Sequence, residues 1–80
     1  MDNFTAHILV VDDDEGIRSL VKKYLNDKKY LVTTAISAED ASEKVKILKF
    51  DLIILDIMMP GKSGLEFLSE HKKNINTPII

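Results

Sequence analysis

The sequence predicts an α/β protein built on a doubly wound parallel sheet, and three observations carry that expectation. Two short aliphatic runs, Ile8-Leu9-Val10-Val11 and Leu52-Ile53-Ile54-Leu55, each stop abruptly at an acid, Asp12 and Asp56. Continuous apolar runs of that length mark strands buried on both faces. Stretches with helical apolar spacing separate and follow them, so strands alternate with helices and right-handed crossovers place helices on both sides of one sheet.

The first run, starting from His7, is the first strand, and it ends at the acidic block Asp12-Asp13-Asp14-Glu15. Ile17, Leu20, Val21, Tyr24 and Leu25 then recur at i, i+3, i+4, i+7 and i+8, the inward stripe of an amphipathic helix opening near Asp14 and closing near Asn26. Tyr30 to Ala35 is rich in β-branched and aromatic residues and forms a second strand. Ser37, with Asp40 three positions on, has the form of a capping box opening a second helix whose inward residues are Ala38, Ala41, Val45 and Leu48. Leu52 to Leu55 is the third strand. After a loop containing Met58-Met59-Pro60-Gly61, Ser63 and Glu66 cap a third helix. That helix has Leu65, Phe67 and Leu68 as apolar contacts and His71-Lys72-Lys73 in its last turn. Thr77-Pro78-Ile79-Ile80 has the character of a fourth strand just starting. A sheet of three strands and part of a fourth is incomplete at one edge. The 80 residues are therefore expected either to be cut from a longer domain or to complete their fold by self-association or segment exchange.

Composition bounds the function. With 45% apolar and 30% charged residues, 3 glycines and 2 prolines, the chain is neither collagen-like nor disordered, and a packed core is expected. Folding of a chain this short buries only ~63% of its extended surface, so the core is small. Eleven basic against 13 acidic side chains leave a net charge of -2 and a pI near 5.6, which carries no electrostatic footprint for a nucleic acid or an anionic membrane. The absence of cysteine excludes disulfides and thiolate metal sites. Met1 to His7 lacks the basic and apolar regions of a signal peptide, and no apolar run approaches the ~18 residues of a membrane span. A cytoplasmic protein is expected.

In an open parallel sheet, functional groups collect beyond the carboxyl ends of the strands, at the point where neighbouring strands connect in opposite directions. Neighbouring strand axes lie ~4.8 Å apart, so pairing of the first and third strands would bring Asp12 and Asp13 together with Asp56. Three like charges so close are tolerated mainly where a cation neutralises them. An all-oxygen donor set selects a hard ion, Mg²⁺ before Ca²⁺. Such a site holds a divalent ion beside a carboxylate nucleophile, the arrangement that phosphoryl transfer to aspartate requires. Asp56, alone after a buried strand, is the better nucleophile candidate.

The pattern Ile8-Leu9-Val10-Val11-Asp12-Asp13, followed by Leu52-Ile53-Ile54-Leu55-Asp56-Ile57-Met58-Met59-Pro60-Gly61 and Gly64, resembles the receiver domain of bacterial two-component response regulators over nearly the whole chain. The resemblance implies a flavodoxin-like sheet, residues 1–80 being the N-terminal portion of the domain. It implies that Asp56 accepts a phosphoryl group from a histidine kinase or phosphotransfer protein. It also implies that Asp13 and Asp56 ligate Mg²⁺ with the backbone carbonyl of Met58, Asp12 assisting directly or through water. Such a protein is a substrate more than an enzyme, with at most weak intrinsic phosphorylation and dephosphorylation. Receivers also carry a hydroxyl residue ending the fourth strand and a lysine ending the fifth, and the chain stops at Ile80 before either. Lys62, in the loop after the third strand, is expected to face solvent rather than replace that lysine.

Other readings compete for the same residues. Asp14 and Glu15 sit where a helix N-terminus favours acids by ~0.3–1 kcal/mol, so capping explains them. Met58 and Met59 pack rather than ligate through sulfur. Pro60 and Gly61 are turn residues, and His7 and His71 lack partners at metal or catalytic spacing. Arg18 and the lysines from Lys22 to Lys29 read as a solvated helix face and its end. A degenerate receiver serving only as an interaction or oligomerisation module is the main alternative function. Asp12-x-Asp14 also resembles the start of the haloacid dehalogenase phosphatase motif, but neither Glu15 nor Gly16 is the residue that motif expects, and Asp56 would go unexplained. A dinucleotide site is weaker again, because four acids rather than a glycine-rich loop follow the first strand.

Overall fold

The computed structural model describes residues 6–56, 66, 67, 69 and 78–80. Its elements are β1 (His7–Val11), α1 (Glu15–Asp27), β2 (Leu31–Ala35), α2 (Ala38–Ile47) and β3 (Leu52–Leu55). The strands form one parallel sheet in the order β2-β1-β3.

β1 is central, and its alternating side chains feed two separate cores. Ile8 and Val10 join Val32 on one face, where Val21 and Leu25 of α1 pack with Tyr30. Leu9 and Val11 point the other way, into a cluster with Ala35, Ala38, Ala41, Phe50, Ile53 and Phe67. The helices thus cover opposite faces. The chain leaves β1 for β2 on one side and then passes back across β1 to β3 on the other.

A third pairing lies on the far side of β3. Ile79 bridges Ile53 in parallel, with Ile53 N–H donating to the Pro78 carbonyl at 2.9 Å and Ile80 N–H to the Ile53 carbonyl at 2.9 Å. Pro78 has no N–H to give, and here it supplies only its carbonyl. Of the strand expected to start near Thr77, the described residues 78–80 form a single parallel bridge against β3 rather than a named strand, and Thr77 lies outside the described residues. Glu66, Phe67 and Ser69 are helical, and Phe67 is fully buried in the larger core. The expected roles of Ser63, Leu65 and Leu68 lie outside the described residues.

Local chemistry accounts for the helix ends. Asp14 caps α1, its Oδ1 accepting from Ile17 N–H at 3.1 Å. The helix closes with Tyr30 N–H donating to the Leu25 carbonyl and Lys29 N–H to the Asn26 carbonyl, each at 3.0 Å, the paired bonds of a Schellman turn. The residue at the left-handed position of that turn is Lys29, with φ of 73°, where glycine is usual. Ser37 caps α2 by accepting from Asp40 N–H at 3.0 Å. The return bond of the expected capping box shifts by one residue: Asp40 Oδ2 accepts from Ile36 N–H at 3.0 Å rather than from the cap residue itself. Lys44 reaches Asp40 at 3.2 Å and also donates to the Thr34 carbonyl, fastening α2 to β2.

Two expectations about packing fail. Of the α1 stripe, only Val21 and Leu25 reach the core; Ile17, Leu20 and Tyr24 are 46%, 70% and 61% exposed. On that side the fully buried sheet residues among those described are Ile8, Val10 and Val32, with Leu52 and Ile54 half-buried beside them, too few to span the stripe. Leu48, expected to point inward, is exposed because α2 has ended there: its φ of -129° and ψ of 151° are extended, so helical periodicity no longer aims its side chain.

Candidate functional site

β1 and β3 deliver their acids to the same edge through continuation of the sheet ladder. Val11 is in register with Ala35 on one side and Leu55 on the other. One residue further on, Asp12 N–H donates to the Ala35 carbonyl at 3.1 Å, and Asp56 N–H donates to the Val11 carbonyl at 3.0 Å. The backbones of both acids are thus pinned beyond the last regular strand pair. They occupy the carboxyl end of the sheet at the β1/β3 gap, where the chain's connections diverge to opposite sides.

The acidic block after β1 divides its labour. Asp14 is occupied as the helix cap, and Glu15 lies in the first turn of α1. Asp14 N–H donates to Asp12 Oδ1 at 2.9 Å, which fixes the Asp12 side chain above the end of its own strand. A ligand oxygen from each of Asp12, Asp13 and Asp56 lies within 4.8 Å of the others, with Asp12 and Asp56 half-buried and Asp13 exposed. The structure therefore brings together the three acids singled out in the sequence. Met58, whose carbonyl was expected to join them, lies outside the described residues, as do Lys62 and His71.

This donor set fits Mg²⁺. Among the described residues three carboxylates converge without a soft ligand, and their mutual repulsion would fall on binding a hard divalent cation. The haloacid dehalogenase-like phosphatase reading of Asp12-x-Asp14 fits less well, because the Asp14 carboxylate is committed to Ile17 N–H.

Arg18 corrects an expectation. It is half-buried rather than part of a solvated face, and its Nη1 donates to the main-chain carbonyl of Asp12 at 2.9 Å. The signal was its place one turn into a helix, where side chains lean back toward the N-terminus. His7 also has partners: Nε2 and Thr33 Oγ1 are 2.7 Å apart, and its ring lies 4.6 Å from that of Phe50. It starts β1, at the opposite end of that strand from Asp12.

Residues 8–80 match the model of the response regulator receiver domain. The chain belongs to that family. This receiver is 43% identical over 74 residues to protein PetR of Rhodobacter capsulatus, and 41% identical over 73 residues to the transcriptional regulatory protein ResD of Bacillus subtilis. Those alignments cover 92% and 91% of the chain but only 31% and 30% of the two relatives, so the receiver spans about a third of their length. Among solved structures it is similar to the response regulator TrrA of Thermotoga maritima in complex with Mg²⁺-BeF, at 46% identity and a TM-score of 0.85. The same TrrA in complex with the histidine kinase ThkA matches at 44% identity and a TM-score of 0.85. Each match covers 91% of the receiver and 64% of the TrrA chain. The parallel sheet with helices on both faces is the flavodoxin-like fold of these neighbours. No helix among the described residues is long and apolar enough to cross a membrane.

Proposed function

We propose that the chain is the phosphoaccepting part of a two-component receiver, with Asp56 as the acceptor and a histidine kinase or phosphotransfer protein as the donor. The observation that carries this reading is the convergence of Asp12, Asp13 and Asp56 within 4.8 Å at the diverging connections of the sheet. The complex of TrrA with a histidine kinase, and its Mg²⁺-BeF form, support the same partner and the same ion here.

In the proposed step an Asp56 carboxylate oxygen attacks the phosphorus of a phosphohistidine. An O–P bond forms, the P–N bond breaks, and its electron pair remains on the imidazole nitrogen. Asp12, Asp13, Asp56 and the Met58 carbonyl would hold Mg²⁺, which when bound offsets the charge of the carboxylates and of the phosphoryl oxygens. The protein's own contribution is placement. Asp56 is fixed through its backbone N–H on the Val11 carbonyl, and Asp12 through its N–H and its Oδ1. The chain is then a substrate of its kinase rather than an enzyme, and it acts in the cytoplasm where such donors work.

Native mass spectrometry with Mg²⁺, before and after acetyl phosphate, tests the assignment. Gain of one labile phosphoryl group per chain, lost in Asp56→Ala with the fold intact, is the expected result. Persistent labelling of Asp56→Ala would remove Asp56 from the role. Uptake of Mg²⁺ without any phosphoryl gain would instead favour an interaction module that keeps the acidic centre.

A further inference from the structure

The segment between β1 and α1 holds two of the three acids, yet Asp12, Asp13 and Asp14 belong to neither a strand nor a helix. Their backbone lacks the repeated bonds that keep β1 and α1 rigid. What holds the peptide joining Asp12 to Asp13 is a side chain from α1: Arg18 Nη1 donates to the Asp12 carbonyl at 2.9 Å in a half-buried setting. Arg18 is itself anchored, because its backbone N–H closes the first turn of the helix on the Asp14 carbonyl at 3.0 Å.

We infer that Arg18 is a positioning residue for the acidic centre: by holding the Asp12 carbonyl, its guanidinium sets the orientation of the Asp12–Asp13 peptide and so the aim of both carboxylates toward the ion. This rests on the metal-site reading above. Three bonds then fix Asp12 from three directions. Its N–H is held by Ala35 of β2, its Oδ1 by Asp14 N–H at the mouth of α1, and its carbonyl by Arg18 from the first turn. Asp13, exposed and next in the chain, takes its direction from that peptide plane.

Arg18 acts on the ion in two opposed ways, which makes the inference testable by sign. As a cation near the centre it repels Mg²⁺, so removing it raises affinity. As a clamp it preorganises two ligands, so removing it lowers affinity. A guanidinium bonded to a main-chain carbonyl is a directional contact, and loss of a group that orients metal ligands commonly costs 10-fold or more in metal affinity. The clamp is therefore the dominant effect.

The test is calorimetric titration of the chain with MgCl₂, comparing wild type with Arg18→Met and Arg18→Gln. Both variants keep good helix formers in α1 while removing the guanidinium. Either one, once its thermal midpoint in EDTA shows it folded, gives the reading independently. The expected result is Mg²⁺ binding weaker by ~10-fold, with a partial return in Arg18→Lys, which restores a donor. Without metal, the amide protons of Asp13 and Asp14 are expected to exchange faster in the variants while those of β1 do not. Affinity equal to or tighter than wild type in a folded variant overturns the clamp. A wild-type chain that takes up no Mg²⁺ overturns the metal-site reading instead, and this inference falls with it.

Discussion

Asp56→Asn is predicted to make the metal-free chain more stable and to remove most of the stabilisation that Mg²⁺ confers. Asparagine keeps the shape and one carbonyl oxygen of the side chain, so the change is chiefly one of charge. In wild type the Asp56 carboxylate has ligand oxygens of Asp12 and Asp13 within 4.8 Å. At that separation a pair of unit charges repels by about 0.9 kcal/mol in water and about 3.5 kcal/mol at the effective dielectric of ~20 that describes protein surfaces. The half-buried Asp12–Asp56 pair belongs between those limits, whereas exposed Asp13 belongs near the lower one. With ordinary salt screening, the relief from losing one charge comes to about 1–3 kcal/mol. For a domain of this size each kcal/mol moves the thermal midpoint by about 4–8 °C. Thermal unfolding followed by circular dichroism in EDTA at low ionic strength reads the shift, which shrinks as salt is added. With Mg²⁺ in hundredfold excess over its dissociation constant, wild type gains about 2.7 kcal/mol and the variant much less. A metal-free Asp56→Asn midpoint at or below that of wild type would refute the reasoning that relief of carboxylate repulsion dominates the substitution.

Four further substitutions test the packing and the helix ends. Lys29→Gly removes the cost of a left-handed lysine at the Schellman turn and is expected to stabilise the chain by up to about 1 kcal/mol, read as a raised urea midpoint. Leu9→Ala, at a site with no exposed surface, is expected to cost about 2–5 kcal/mol, whereas Leu20→Ala, 70% exposed, is expected to stay within about 0.5 kcal/mol of wild type. Equal effects at the two sites would show that α1 packs more deeply than its exposure indicates. Ser37→Ala removes the cap that accepts from Asp40 N–H and is expected to cost about 1 kcal/mol, with the loss of helicity confined to α2 in amide exchange.

The elements most legible in the sequence are those whose signal is local. β1 and β3 stand out because their runs are aliphatic without interruption, and the acids that end them mark where the site lies; burial on both faces holds for β1, whereas in β3 only Ile53 is buried and Leu52, Ile54 and Leu55 are half-buried. Ser37 and Asp14 are readable as caps because a side-chain oxygen facing an unpaired N–H is a one-turn event. The packing of α1 was less legible because it depends on the width of the surface underneath. A stripe of five apolar residues states what the helix is able to bury, not what the sheet offers, and of that stripe Val21 and Leu25 are the residues that pack against Ile8, Val10 and Val32. The convergence of the three acids was legible only conditionally. It required β1 and β3 to be neighbours, which is a property of topology rather than of either strand. Arg18 was missed for the opposite reason: its composition and position match a solvated face, and only the carbonyl of a residue six positions earlier shows what it holds.

The register of β1 against β3 links core to chemistry. Leu9 pairs with Ile53 and Val11 with Leu55, and both Leu9 and Ile53 have no exposed surface. Because side chains alternate along a strand, slipping β3 by one residue would turn Ile53 out of the larger core and Ile54 into it. The same slip would move Asp56 by one strand step, about 3.3 Å, relative to Asp12, a large displacement against a site whose oxygens all fall within 4.8 Å. Packing by residues that never touch the site therefore sets the separation of its carboxylates. The repulsion among those carboxylates is too small to break a register held by the fully buried Leu9–Ile53 pair, worth about 1.5–3 kcal/mol per side chain, and by the half-buried pairs beside it. The core thus holds the three carboxylates in their converged geometry, and a cation bound there would offset repulsion that folding imposes.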